Sequence, residues 1–333
     1  MDIFLQQIVN GLVLGSVYAL VALGYTMVYG ILGLINFAHG EVVMVGALTA
    51  LSVTNALIAA NLGLPAPLIA VIALLAAVGV CMTLGFSIER IAYRPLRRAP
   101  RLAPLITAIG VSILLQTLAM LIWGRSYHTV PSILPPTPHA FGGATITNVQ
   151  ILIIVVSALI MAGLLALVNF TRLGRAMRAT AENPTVAGLM GVNINRIISA
   201  TFMIGSALAA VAGVLISTNY GIAHYYMGFV LGLKAFTAAV LGGIGNLGGA
   251  MLGGLLLGLI ESLGAGYIGQ LTDLCYYRAL LNASTEIAQR CANNASLPVF
   301  GSNYQDVLAF LVLILVLEFR PTGLLGERVS ERA

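Results

Sequence analysis

The chain reads as an all-α protein, a polytopic transmembrane helical bundle of about eight spans with one short or re-entrant segment. Three observations predict this. First, 59% of its 333 residues are hydrophobic and only 8% charged, with a mean hydropathy of +0.99, whereas about a quarter of a soluble domain is charged. Second, the apolar residues fall in runs of about 20, long enough for helices to cross a hydrocarbon core of about 30 Å and unlike the alternating ten-residue segments of an outer-membrane barrel. Third, the cationic residues cluster between particular runs in the way the positive-inside rule describes.

The runs lie at 8–31, 41–60, 66–88, 103–123, 149–170, 197–218, 250–268 and 304–319. A further apolar piece, 228–242, is barely long enough to cross, and Gly228, Gly232, Gly242 and the adjoining Gly243 favour a half-helix or re-entrant segment. Arg90, Arg94, Arg97, Arg98 and Arg101 share one loop, Arg172, Arg175, Arg178 and Arg196 a second, and Arg320, Arg328 and Arg332 lie at the C-terminal end. These three regions are therefore expected to be cytoplasmic, and only Arg125, Arg278 and Arg290 fall in loops assigned outside. The net charge of +5 thus reflects topology and gives no reason to expect a nucleic-acid partner. Residues 1–7 fall outside if 228–242 crosses and inside if it does not. Asp2, the one charge there, favours outside. No basic stretch or small-residue cleavage site precedes the first run, so no removable signal peptide is expected.

The first span is crowded with small residues, Gly11, Gly15, Ser16, Ala19, Ala22 and Gly24, which let helix backbones approach closely. It is expected to be central. At the junction that follows, Asn36, His39 and Glu41 interrupt the apolar pattern. Either Asn36 caps the next helix with Glu41 near its positive end, or the three line a path or gate, since polar groups at membrane depth need a partner or a pore. His39 and Glu41 are two apart and share no helical face, so no metal pair is expected. Residues 89–101 form a basic loop suited to orientation and to anionic headgroups. The outer loop 124–148 carries Pro131, Pro135, Pro136 and Pro138 and is expected to be irregular.

The central loop, 172–196, is a polar island between two apolar spans. Asn183 is a good N-cap, Pro184 suits the first helical position, and Gly191 can take the left-handed turn that ends a helix. About two turns result, too short to stand alone in water. Exposed Val186, Leu189 and Met190 make them a docking element. The span 197–218 is again rich in small residues. Beyond it Lys234, the only lysine, either snorkels to an interface, the preferred reading, or points into a polar cavity. The junctions 36–41 and 242–249 each follow a small-residue helix and hint at an internal duplication.

Residues 269–303 form a polar outer loop in which Cys275 and Cys291, sixteen apart, are either disulfide partners or two free thiols. A bridge there would contribute about 3 kcal/mol in the chain-entropy model. Cys81, inside a span, reads as packing. The chain has no GxxxxGK[ST] phosphate-binding loop, no zinc-type Cys/His cluster and no nucleophile elbow. No catalytic residue, metal or cofactor is expected, and energy must come from another chain or an ion gradient. Glu261 and Glu318 are the main acids near apolar runs, and both fall close to expected helix ends. That scarcity of buried acids argues against an ion-coupled secondary transporter.

Four ordered stretches carry a resemblance: Gly-Tyr-Thr-Met-Val-Tyr-Gly-Ile-Leu-Gly-Leu-Ile-Asn-Phe-Ala-His-Gly-Glu at 24–41, Gly-Arg-Ala-Met-Arg-Ala-Thr-Ala-Glu-Asn at 174–183, the 235–249 segment, and Phe-Arg-Pro-Thr-Gly-Leu-Leu-Gly at 319–326. The chain resembles the LivH-type permeases of branched-chain amino acid ABC importers over nearly its whole length. The resemblance implies a single permease domain in the bacterial inner membrane, paired with a homologous second permease. Two cytoplasmic ATPase subunits that bind the ATP, and a periplasmic binding protein that delivers leucine, isoleucine or valine, would complete the importer. It also implies that 172–196 is the ATPase-coupling loop, with Arg175 and Glu182 for polar contacts, Asn183 for capping, Ala187 for close approach and Gly191 for termination. Asn36, His39, Glu41 and Asn246 are then candidates for the translocation path. The 269–303 loop departs from the family pattern as an insertion of about 30 residues. Similar permeases serve urea or amide importers, so that substrate class is the alternative.

Overall fold

The computed structural model describes residues 2–97, 99–100, 102–132, 137–273, 275, 298–301 and 304–326. Seven helices in it are long and apolar enough to cross a membrane. They are α1 (Asp2–Leu32), α2 (His39–Ala59), α3 (Ala66–Ser87, prolonged by a π turn Ile88–Tyr93 and a 3-10 turn Arg94–Leu96), α4 (Leu102–Trp123), α5 (Asn148–Phe170), α8 (Ile194–Tyr220) and α10 (Leu247–Leu271). Between α5 and α8 lie α6 (Arg172–Glu182) and α7 (Pro184–Leu189). Two further apolar helices are short: α9 (Met227–Gly242, 16 residues) and α11 (Gln305–Phe319, 15 residues). The run at 304–319 was expected to be a full span. At 1.5 Å per residue α11 is instead about 22 Å long.

α1 is the centre, as its small residues led us to expect, and it is buried from Val17 through Leu23. α10 runs antiparallel along it. A Cβ on Gly11 or Gly15 would lie 2.8 Å from the Cα of Leu259 or Leu255, and one on Gly254 2.5 Å from the Cα of Ala19. Such distances are below any real Cβ contact, so only glycine admits the approach. With no hydrophobic drive between helices in lipid, this close packing is a main source of association.

The packing repeats with inverted direction. α1 lies along α10 and α8 along α3; α2 packs on α8 and α9 on α1; α2 touches α4 as α9 touches α11. α2 and α9 both start deep in the bundle and run to opposite faces. Their N-terminal ends abut, and a Cβ on Gly40 would fall 2.5 Å from the carbonyl oxygen of Gly228. The helix contacts thus pair in an inverted pattern, in a register other than that of the two junctions that hinted at a duplication. The counterpart of the 33–41 junction is the segment 221–229, not 242–249.

The two faces are identified by charge. Arg97 and Arg178 mark one end, where Arg97 bonds Asn195 and Arg178 bonds the Val168 carbonyl. At the other end Gln6 bonds Thr145, so the start of α1 lies at the same end as residues 138–147, opposite the arginines. That loop is less irregular than its prolines suggested. β2 (Pro138–Phe141) and β3 (Ala144–Thr147) form a hairpin turned by Gly142 and Gly143 at φ 56° and 94°, a two-residue turn that needs positive φ. β1 (His128–Thr129) pairs with β4 (Ile222–Ala223) just before α9.

Gly254→Val should therefore wedge α10 from α1 and lower stability by about 1–3 kcal/mol, read as a lower melting temperature of the detergent-solubilised chain. Gly110→Ala, with nothing within 4 Å of its Cβ position, should leave the melting temperature unchanged or slightly raised.

Candidate functional site

The inner surface is built by α6, α7 and the start of α8. Thr171 caps α6 through a bond from the Gly174 N–H at 3.0 Å, and Arg178 reaches back to the Val168 and Asn169 carbonyls at the end of α5. Asn183 Oδ1 accepts the N–H groups of Thr185 and Val186 at 3.0 and 3.1 Å, and Asn193 Oδ1 accepts that of Arg196 at 3.1 Å. Gly191 has φ 86°. The polar island is thus a chain of capped turns, more ordered than the single short helix read from sequence. α6, 11 residues long, adds to it.

On this scaffold Arg175, Glu182 and Asn183 are exposed. Val186, Leu189 and Met190 are 52%, 84% and 81% exposed, whereas Ala187 is only 4% exposed. Ala187 faces inward, so the close approach it allows is within its own chain. The surface open to a partner is the apolar tip Val186–Leu189–Met190, flanked by the polar groups of α6. Gly174 and Arg178, which fasten α6 to α5, were not singled out in the sequence, although a glycine and an arginine four apart at a helix start carry that signal.

The α1–α2 junction gathers three of the four path candidates. Asn36 does not cap α2. Its Oδ1 accepts the Ala38 N–H at 3.2 Å and the Tyr93 hydroxyl at 3.1 Å, so it folds the turn and ties it to the end of α3. His39 is buried edge-on to Tyr25, with ring centroids 4.8 Å apart, in the notch left by Gly24 and Gly205. Glu41 Oε1 accepts from Ser112 at 3.1 Å and Gln116 at 2.7 Å. Among the described residues, His39 Nε2 and Glu41 Oε2 have no hydrogen-bond partner. Beside them Tyr25, Gly40, Gln116 and Gly228 line a cavity of about 250 Å³. Asn246 is elsewhere. It caps α10 through the Gly249 N–H and holds the Leu325 carbonyl, clasping the C-terminal segment at the inner end.

The sequence reading missed a second cavity, about 370 Å³, between α1, α8, α9 and α10 and reaching toward their outer side. Its polar lining includes Tyr18, Lys234 and Glu261. Lys234 does not snorkel. Its Nζ lies 2.7 Å from both Glu261 Oε1 and Asp306 Oδ1, and its side chain is 13% exposed. Glu261 is also not at a helix end but fourteen residues into α10 and 3% exposed. A third buried acid, Glu89, is held by Arg97 and by Ser199 at 2.6 Å. The expected scarcity of buried acids is therefore wrong: each sits in a span where a polar or cationic group from another helix meets it. A lone lysine in a glycine-rich segment and a glutamate mid-run were the available signals. Neither reveals its partner without the fold.

Cys275 is disulfide-bonded; Cys291 and most of the 269–303 loop lie outside the described residues. Cys81 is free and buried.

Residues 7–317 match the family model described as branched-chain amino acid transport system / permease component. The high-affinity branched-chain amino acid transport system permease protein BraD of Pseudomonas aeruginosa is 48% identical over 334 residues, covering 99% of this chain and 98% of that protein. The similarly named LivH of Escherichia coli strain K12 is 44% identical over 333 residues, covering 99% and 97%. A more distant relative, the autoinducer 2 import system permease protein LsrC of Yersinia enterocolitica, is 28% identical over 257 residues, covering 74% and 65%. No solved structure matches the chain.

Removing the cap in Asn183→Ala should destabilise α7 by about 1 kcal/mol. Faster hydrogen exchange at 185–190, with unchanged exchange in α10, is the expected result.

Proposed function

The chain belongs to the family of permease components of branched-chain amino acid transport systems, and on that premise we propose that it is the membrane-spanning permease subunit of an ATP-driven importer for leucine, isoleucine and valine. It sits in the bacterial inner membrane beside a homologous permease. Two cytoplasmic ATPase subunits bind its inner surface, and a periplasmic binding protein delivers substrate to the outer one. The observation that carries this reading is end-to-end identity of 44–48% to permeases so named. A capped inner loop with an exposed apolar tip supports it.

In this reading the tip Val186–Leu189–Met190 seats in a groove of the ATPase. Its apolar surface, large for so short an element, is buried only when the partner is present. ATP binding and hydrolysis in the partner displace α7. Because Asn183 and Asn193 cap the turns on either side, and Arg178 fastens α6 to α5, the displacement passes as a rigid push to α5 and α8 rather than dissipating in the loop. α8 packs on α1, α2 and α3, so it can shift the junction where α2 and α9 abut. A bundle in which two helices start deep inside and run to opposite faces, with inverted packing, suits alternation between outward and inward states. Asn36, His39 and Glu41 lie at that junction and are the groups whose partners would change.

The relative that imports autoinducer 2 indicates that the wider fold carries other cargo, and urea or amides are the alternative substrates. Buried acids are present after all, so their scarcity no longer counts against ion coupling. The case against it rests on the family.

A cysteine at Met190, introduced as Met190→Cys, should crosslink to an ATPase subunit in native membranes, while Ala187→Cys should not. Replacing Val186, Leu189 and Met190 together by Ser should cut ATP-driven leucine uptake about tenfold or more at unchanged chain level, since losing the burial of even one apolar side chain costs about 1.5 kcal/mol or more. Leucine uptake that persists without ATP and collapses with the proton gradient would overturn the importer reading.

A further inference from the structure

We infer that the outer cavity of α1, α8, α9 and α10 is a binding site for a zwitterionic aliphatic amino acid, with the ligand's carboxylate on Lys234 and its ammonium on Glu261. The inference rests on the importer reading above and assigns the contacts it would use. The cavity holds about 370 Å³, within the usual range for small-molecule sites, and Leu14, Ile216, Val230 and Leu231 supply apolar walls around Lys234 and Glu261.

The charges are the second observation. An ammonium has three N–H donors. Glu261 accepts a hydrogen bond from Lys234 Nζ at 2.7 Å and Asp306 Oδ1 lies 2.7 Å from the same nitrogen, which leaves at least one donor for a ligand carboxylate. Glu261 Oε2 accepts the Tyr18 hydroxyl at 2.9 Å, and each carboxylate oxygen keeps a lone pair for a further donor. Two carboxylates against one ammonium also leave one negative charge uncompensated. The charge of Lys234 would be balanced by either acid alone, and a purely structural ion pair would not need to line a cavity. Asp306 does not line it, whereas Lys234 and Glu261 do. Asp306 is thus the anchor behind Lys234, and the other two are the recognition pair. Charged side chains inside a span commonly mark a substrate path. The cavity beside Glu41 has no cationic side chain in its lining and offers no such complement.

The test places a thiol on the wall as Val230→Cys in the assembled transporter, reconstituted in proteoliposomes without the binding protein, with the wild-type chain as background. Labelling by a membrane-impermeant thiol reagent added from outside is followed against leucine concentration. Leucine should slow labelling, while 4-methylpentanoate, which lacks the ammonium, and 3-methylbutylamine, which lacks the carboxylate, should protect about tenfold less well, as expected for losing one charge-assisted hydrogen bond. Lys234→Met and Glu261→Gln should raise the half-protecting leucine concentration about tenfold or more, with the labelling rate without leucine unchanged; Lys234→Arg should restore it to within about threefold. If Lys234→Met does not accumulate in the membrane, the near-isosteric Glu261→Gln decides. Labelling that is indifferent to saturating leucine, or protection that survives Glu261→Gln, overturns the site. ATP-driven leucine uptake without protection removes this inference and keeps the importer reading, whereas protection without ATP-driven uptake of leucine removes the importer reading.

Discussion

The contact between α1 and α10 sets the geometry on which the remaining elements depend. Gly11 and Gly15 meet Leu259 and Leu255 across it, and Gly254 meets Ala19, so two helix backbones touch where side chains would normally separate them. In lipid, helices gain little from burying leucine, because the surroundings are equally apolar. Shape complementarity and dispersion must hold the bundle, and both fall off steeply with distance. α8 repeats the device against α2, where Gly46 meets Ala210. These contacts fix α1 and α8 as the two pillars from which α2 and the shorter α9 diverge.

Once those pillars are set, polar groups at membrane depth become possible and specific. Glu41 links α2 to Ser112 and Gln116 of α4, and Lys234 links α9 to Asp306 at the start of α11. These are the same pair of connections in the two inverted halves, with the sign of the central charge reversed. Each would be costly without its partners. Each therefore specifies which helix stands beside which, a choice that apolar surfaces alone leave loose. The Glu89–Arg97 pair, with Ser199, performs the same task at the inner end between α3 and α8.

The inner loop relates to this frame mechanically. Its caps leave no slack between α5, α6, α7 and α8, and its apolar tip points away from the bundle. A force applied at Leu189 or Met190 therefore acts on α8, which touches both α2 and the pillar α1. The outer cavity opens between the same helices at the far end. The two surfaces are joined by continuous helix, not by loops.

Composition and run length alone determined that this chain is a helical membrane bundle, because the cost of exposing backbone or charge to hydrocarbon leaves few other structures for such a sequence. Arginine placement determined which face is which. Local chemistry determined the caps at Asn183 and Gly191, since a side chain bonding two or three residues away, or a positive φ, depends on neighbours in sequence. The partners of Lys234 lie 27 and 72 residues away, at Glu261 and Asp306, and no periodicity in the sequence encodes such a meeting. Asn36, a plausible cap by its neighbours, instead bonds Tyr93 on another helix. The inward turn of Ala187, the register of the inverted halves and the existence of the outer cavity likewise followed from how helices pack. In a membrane that packing is decided by the complementarity of distant surfaces, which only the tertiary structure brings together.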